Sequence, residues 1–357
     1  MTLSHARPRY GGPINQIEFR DLDFDHVATT AYSTRGTPFV RPVAIGMPRI
    51  PPKILDNVCY LYKDAERAKI GAGFGGTAFL VAVPSSIPGK HYQYAVTNWH
   101  VAQKHGNSVI RVNTHSGEPD IFEYDPGQWF CDTRFDIAVC GIKLDGAIHR
   151  YTAMPIDGFA LREHIEGNKV GPGDDVFMVG RFVDHDGGSV NKPAVRFGNI
   201  SVMPLPIMQP NGTMADAYCI DLHSRTGYSG SPVYVYRTPG YDLEQTLSSD
   251  PNEQRLLYAG VNYLALLGIH FAQFPEDWEI ADQMVGKPTA DVDEAAVPLI
   301  LEGKYIKGLS GMTCVLPAWS IWDVLHAAPL LQARIQSDER ERARMKDVGE
   351  SPAPVGE

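Results

Sequence analysis

Two series of short apolar runs dominate this chain. The first lies between Cys59 and about Leu144 and includes "GTAFLVAV", "YQYAVTNW", "SVIRVNT" and "DIAVCGI". The second includes "DDVFMVG", "AVRFGNISV", "AYCIDL", "PVYVY", "LLYAGVNYLALLGIHF" and "MTCVLP". Each run is closed off by glycine, proline, asparagine or aspartate, the residues that turn a backbone. Runs this short and this closely spaced leave no room for a crossover helix after each strand. They predict an all-β sandwich or barrel instead of alternating β and α units.

The series also divide the chain. Residues 1–55 are rich in proline and glycine and read as an extended arm packed on the body. Residues 56–165 hold the first series, and "MPIDGFALREHIEGNKVGPG" serves as the connector to the second, at 166–328. That second series is interrupted by an insertion at 273–310. It carries Glu276, Asp277, Glu279, Asp282, Asp291, Asp293, Glu294 and Glu302 against Lys287, Lys304 and Lys307. An insertion of this length inside a compact domain is either functional or disordered. "AWSIWDVLHAAPLLQARI" has helical spacing, with Trp319, Trp322, Val324 and Leu325 on the expected buried face. Residues 329–357 continue it as a charged helix that frays into a tail.

Composition narrows the function classes. With 357 residues, 43% hydrophobic and 21% charged, the chain can bury one large core or two smaller ones. A net charge of −10 and the lack of a basic cluster argue against a nucleic-acid partner. The first residues have no apolar leader, and no apolar run is pure enough to cross a membrane as a helix. Five cysteines, Cys59, Cys131, Cys140, Cys219 and Cys314, form no Cys-X-X-Cys pair and no zinc spacing. They read as reduced core residues, which predicts a cytoplasmic location and neither metal nor cofactor.

The stretch "RTGYSGSPVYVY", Arg225 to Tyr236, sets Ser229 between glycines and ahead of an alternating run that predicts a strand with one buried face. The segment does not match the Gly-X-Ser-X-Gly elbow, because Ser231 stands at the last glycine and a strand follows where a helix should. On its own, Ser229 is equally the corner of a tight turn. His100 closes the run "YQYAVTNWH" ahead of a helical turn, "VAQKHG", and Asp136 opens "DIAVCGI". A buried carboxylate beside so apolar a strand needs hydrogen-bond donors, either from a partner side chain or from the turn that it caps.

Together, "GGTAFLV", "AVTNWHV", "FDIAVCGI", "GDDVFMVG", "VRFGNIS", "GYSGSP", "LLGIHF" and "GMTCVLPAWSI" resemble, in order, the trypsin-like serine proteases. The bacterial high-temperature-requirement type is the nearest, over about residues 70 to 325. The resemblance implies two six-stranded antiparallel β-barrels with a C-terminal helix, and a His100–Asp136–Ser229 triad in the chymotrypsin order. It implies backbone N–H groups of Gly227 and Ser229 as the oxyanion hole. It also implies a pocket for the side chain preceding the scissile bond, with His223 near its floor, Phe271, Ala272 and Gln273 on one wall, and Met312 and Thr313 on another. No acid stands at His223, so a preference for Arg or Lys is not expected, and a medium apolar side chain is.

Several departures qualify the resemblance. Tyr228 precedes the nucleophile where digestive trypsins carry the aspartate that pairs with a cut N-terminus. The chain does not extend far enough past the second series for a PDZ module. The expected activity is that of an intracellular serine endopeptidase acting on a protein or peptide substrate, with a regulatory protein partner. The alternatives are a catalytically silent scaffold that binds a protein partner and, on another fold, an esterase or acyl transferase.

Overall fold

The computed structural model describes residues 50–185, 187–237, 263–279, 301–302 and 305–348. Most of the expected N-terminal arm, the middle of the acidic insertion and the end of the tail lie outside the described residues. Among the described residues, fifteen strands run in chain order. β1 to β8 are Val58–Tyr62, Gly76–Pro84, His91–Thr97, Val109–Asn113, Pro119–Phe122, Phe130–Cys131, Ala138–Gly141 and Met154–Pro155. β9 to β15 are Asp175–Gly180, Ala194–Met208, Met214–Asp221, Pro232–Arg237, Tyr263–Glu279, Leu301–Glu302 and Tyr305–Pro317.

The fold is all-β in two sheets, as the sequence predicts, although the strand counts differ. The first sheet has eight strands in the order β5-β4-β1-β2-β3-β7-β6, with β8 pairing β2 in parallel. No pairing among the described residues joins β5 to β6, and the parallel β8 comes from the connector. The second sheet has seven strands, and six of them close a ring: β11-β10-β9-β12-β13-β15, with β15 returning to β11 through Tyr218↔Val315 to Asp221↔Met312. β14 is an addition outside that ring, paired to β15.

The strand β12 corrects a simpler reading of its alternation. Tyr234 packs into one buried cluster with Phe79, Phe177 and Leu266, while Val233 and Val235 pack into another with Val176, Met178 and Leu267. Both faces are therefore buried, as a strand inside a closed, covered sheet requires. The insertion is also reshaped. Residues that it was expected to contain extend the β13–β15 ladder from Gln273↔Thr313 to Glu279↔Tyr305.

Two arginines lie inside the core. Arg111 and Arg181 are each 0% exposed. Their guanidinium carbons stand 4.7 and 4.4 Å from the centre of the Tyr62 ring. Arg111 donates to Asn191 Oδ1 and to the carbonyls of Ala68 and Gly188, and Arg181 donates to those of Gly71 and Gly73. Burying a cation is costly unless its N–H groups are bonded, and here loop carbonyls and aromatic faces do that work.

The helix Ala318–Leu325 buries Ala318, Ser320, Ile321, Val324 and Leu325, while Trp319 and Trp322 are only half-buried. The face is thus set by the smaller side chains and not by the tryptophans. The helix Ala328–Val348 docks on the β2–β3 turn. There Asp338 accepts from Ser85 Oγ at 2.6 Å, from the Ser86 amide at 2.9 Å and from Tyr92 Oη at 2.5 Å, and Lys90 pairs Glu341 at 2.5 Å. The expected helical continuation is present, and Asp338 and Glu341 anchor it to the β2–β3 turn.

Candidate active site

Strand β3 ends three residues before His100, which opens a single π-helical turn, His100–Lys104. β3 pairs β7 with Thr97 opposite Ala138, so Asp136, two residues before β7, arrives beside His100. The contact is made twice. The Asp136 Oδ2 accepts from His100 Nδ1 at 2.7 Å, and Oδ1 accepts from the His100 backbone N–H at 2.9 Å. Asp136 is 0% exposed and His100 8%. The carboxylate is held from behind as well. Its own backbone N–H donates to Gln209 Oε1 at 2.7 Å, and its carbonyl accepts from Asn98 Nδ2 at 2.9 Å. Gln209, just past the end of β10, lies 73 residues from Asp136, so no local sequence signal joins the two.

Ser229 comes from the other sheet, in the turn before β12. Gly227 has φ +98°, and a Cβ there would meet Val183 Cγ2 at 2.5 Å and the Arg181 carbonyl oxygen at 2.8 Å. Gly230 has φ +86°, and a Cβ would fall 2.1 Å from the Thr77 carbonyl oxygen. Only glycine fits either position. The turn is clamped across the two sheets: the Thr77 amide donates to the Ser229 carbonyl at 2.9 Å, and Thr77 Oγ1 donates to the Gly227 carbonyl at 2.7 Å. Among the described residues, the backbone N–H groups of Gly227 and Ser229 donate to no protein acceptor.

His100, Gly227 and Ser229 line one cavity of about 520 Å³, with Lys63, Phe74, His105, Ser224, Arg225, His270, Ala272 and Gln273 also on its wall. Ser229 and His100 share that cavity without a direct hydrogen bond between their side chains. Catalytic contacts of this kind often tighten only when substrate is bound. The His105 ring stands edge-on to His100 at 5.7 Å. Burial, together with the neighbouring His100 and Lys104, lowers the His105 pKa.

The expected pocket residues divide. Ala272 and Gln273 line the cavity. Phe271 is buried in the core instead, since its neighbours His270 and Ala272 both face the cavity and alternation puts it on the other side of the strand. Thr313 is buried and donates its hydroxyl to the Leu222 carbonyl at 2.6 Å, and Met312 packs against the core. His223 is exposed, its ring over Gly311, and its neighbour Ser224 takes the place on the cavity wall. Alternation along the chain after β11 explains that exchange: of two successive residues, only one can face the cavity. Tyr228 is fully buried under the Arg196 guanidinium, which lies 5.1 Å from its ring centre.

Among the described residues, no cysteine lines this cavity. All five are free thiols, and burial pushes Cys59, Cys131, Cys140 and Cys314 up to about 12. No group of three or more metal-ligating side chains occurs among the described residues.

No protein-family model matches the chain, and no curated protein matches it. Solved structures do match. The protease domain of MamO from Magnetospirillum magneticum is 14% identical, with 76% of this chain and 96% of that one covered at a TM-score of 0.39. The HtrA-type protease AlgW, solved with a decapeptide, is 15% identical, with 77% of this chain and 66% of that one covered at a TM-score of 0.38. No residue of this chain takes its role from those likenesses.

Proposed function

We propose that the protein is a serine endopeptidase, with His100, Asp136 and Ser229 as its catalytic residues. One observation carries the reading. A buried His100–Asp136 pair, bonded at 2.7 Å, opens onto the same cavity as Ser229 and two unused backbone N–H groups.

The chemistry follows from what each group can do. Ser229 Oγ attacks the carbonyl carbon of a peptide bond, and its proton passes to His100 Nε2. Asp136 holds the proton on Nδ1, so Nε2 is the basic nitrogen, and it stabilises the imidazolium that forms. The oxygen that gains charge accepts from the Gly227 and Ser229 amides, and losing one such donor costs about 3–4 kcal/mol of barrier. The C–N bond then breaks, with the His100 proton going to the departing amine. Water, giving its proton to His100, releases the acyl group and restores Ser229. Ser229, and no cysteine, lines the cavity beside His100 among the described residues, which favours serine as the nucleophile.

The reading extends to an intracellular, regulatory enzyme acting on protein or peptide substrates, since five free thiols are compatible with a reducing compartment. The missing Ser229–His100 hydrogen bond favours a second reading, a latent or silent scaffold that a protein partner binds. A fluorophosphonate probe separates the two. Labelling of Ser229, abolished in Ser229→Ala, supports the protease, and folded protein that takes up no label on any substrate or partner supports the scaffold.

A further inference from the structure

The cavity wall carries a polar pair that this mechanism does not use. Ser224 is 2% exposed and His270 3%, and their side chains meet at 2.7 Å, Oγ to Nε2. His270 is fixed beside the nucleophile by its backbone: its N–H donates to the Ser231 carbonyl at 2.9 Å, and its carbonyl accepts from the Gly230 N–H at 3.0 Å. Its Nδ1 faces the Cys314 carbonyl at 3.3 Å. A carbonyl can only accept, so Nδ1 carries the proton, and Nε2 of the neutral ring accepts from the Ser224 hydroxyl. Burial, above all, lowers the His270 pKa to about 4, which keeps the ring neutral near pH 7.

The Ser224 hydroxyl and the His270 ring satisfy each other, so an apolar group that covers them gains no hydrogen bond, whereas a group that both accepts from Oγ and interacts with Nε2 can take over their contact. Among the described residues no carboxylate lines the cavity, while Lys63 and Arg225 on its wall add positive charge. A basic side chain is therefore disfavoured, and the apolar preference expected from the sequence does not suit this wall.

We infer that the Ser224–His270 pair reads the side chain preceding the scissile bond, and that this side chain ends in a carboxylate or its carboxamide. The inference rests on the protease reading for the identity of the bond, and on the pair alone for the identity of the side chain. The incoming C=O oxygen accepts the Ser224 O–H. With a carboxamide, the vacated Nε2 accepts an N–H. With a carboxylate, His270 takes a proton from solvent and donates it to the second oxygen, and Lys63 and Arg225 supply attraction that salt screens.

The test uses the full chain carrying Ser229→Ala and calorimetric titration with hexapeptides that differ only in a C-terminal Glu, Gln, Leu or Lys. Glu or Gln should bind roughly tenfold or more tightly than Leu and Lys, as expected when a site built to hydrogen-bond meets a group that cannot. Glu ahead of Gln, with a binding enthalpy that depends on buffer ionisation, assigns the carboxylate form, and Gln ahead with no such dependence assigns the neutral form. Leu or Lys binding as tightly as both overturns the inference. Adding Ser224→Ala should shrink the preference to within about threefold, and Ser224→Thr should keep it. A preference untouched by Ser224→Ala also overturns it. Fluorophosphonate labelling of the unsubstituted protein is read in parallel. Labelling without a Glu or Gln preference defeats only the specificity, while the preference without labelling or cleavage defeats only the protease reading.

Discussion

The hydroxyl of Thr77 donates to the carbonyl oxygen of Gly227 at 2.7 Å, tying a strand of the first sheet to the turn that carries Ser229 in the second. Thr77 Oγ1 also accepts from the Arg181 amide at 2.9 Å, and the Thr77 amide donates to the Ser229 carbonyl. Thr77→Val keeps the shape and removes the hydroxyl, leaving two buried backbone groups without a partner. Stability should fall by about 1–3 kcal/mol, and kcat should fall more than KM rises, because the Gly227 peptide loses its anchor. Thr77→Ser should restore both. Denaturant unfolding alongside peptide kinetics checks this, and an unchanged kcat in Thr77→Val contradicts it.

Asp136 fixes the His100 tautomer through a hydrogen bond of 2.7 Å. Asp136→Asn should fold and still lose about 10³–10⁴-fold in kcat, since the amide can donate to Nδ1 and favours the wrong tautomer. Gln209→Leu, which leaves the Asp136 amide without its acceptor, should lower kcat less, by about tenfold, with a loss of about 1–3 kcal/mol in stability. A loss under tenfold for Asp136→Asn makes Asp136 a turn cap.

His270 makes folding sensitive to mild acid. Its pKa is lowered to about 4 by burial and, to a lesser degree, by the nearby His100. The unfolded chain binds a proton at about pH 6.5, where the folded chain does not. The sign is therefore fixed: stability is full above about pH 6.5 and falls as the pH drops toward 4, by roughly 3 kcal/mol in all, then levels off for this group. The groups facing its ring are the Ser224 hydroxyl, the Cys314 carbonyl and the His100 imidazole. Unfolding free energies of His270→Gln and the unsubstituted protein, measured across that window, should converge on acidification, and parallel curves refute the assignment.

Asp338 has the opposite behaviour. Burial raises its pKa, but hydrogen bonds from Ser85, Ser86 and Tyr92 outweigh that and hold the carboxyl well below the usual carboxylate range. Its contribution is present above about pH 4 and is lost only in stronger acid. At neutral pH, Asp338→Ala should loosen the helix Ala328–Val348 from the β2–β3 turn by about 1–3 kcal/mol without unfolding the sheets. Hydrogen exchange along the helix should quicken in the variant, and equal exchange rates would show that the helix is held elsewhere.

Much of this was legible in the sequence where local pattern and position coincide. The two strand series, and a histidine, an aspartate and a serine each at a strand end, follow from periodicity and turn residues. Side-chain direction was less legible. Phe271 faces the core while its neighbours His270 and Ala272 face the cavity, and Ser224 takes the place expected of His223; which face is which is set by pairings with distant strands. Gln209 and Thr77 matter through contacts with residues 73 and 150 positions away, for which a single chain carries no local signal. The burial of both faces of β12 depends on closing the second sheet.

That closure has a consequence for the order of events as the chain is made. The ring is completed only when β15, Tyr305–Pro317, pairs with β11 and β13, and the Ser229 turn leans on His270 in β13 through the Gly230 amide. A nascent chain thus carries His100, Asp136 and Ser229 well before it can hold them in one cavity. If the enzyme cuts peptides, it cannot do so while its own second half is still emerging. Under the proposed reading, the strand that seals the barrel also sets when the three residues come together.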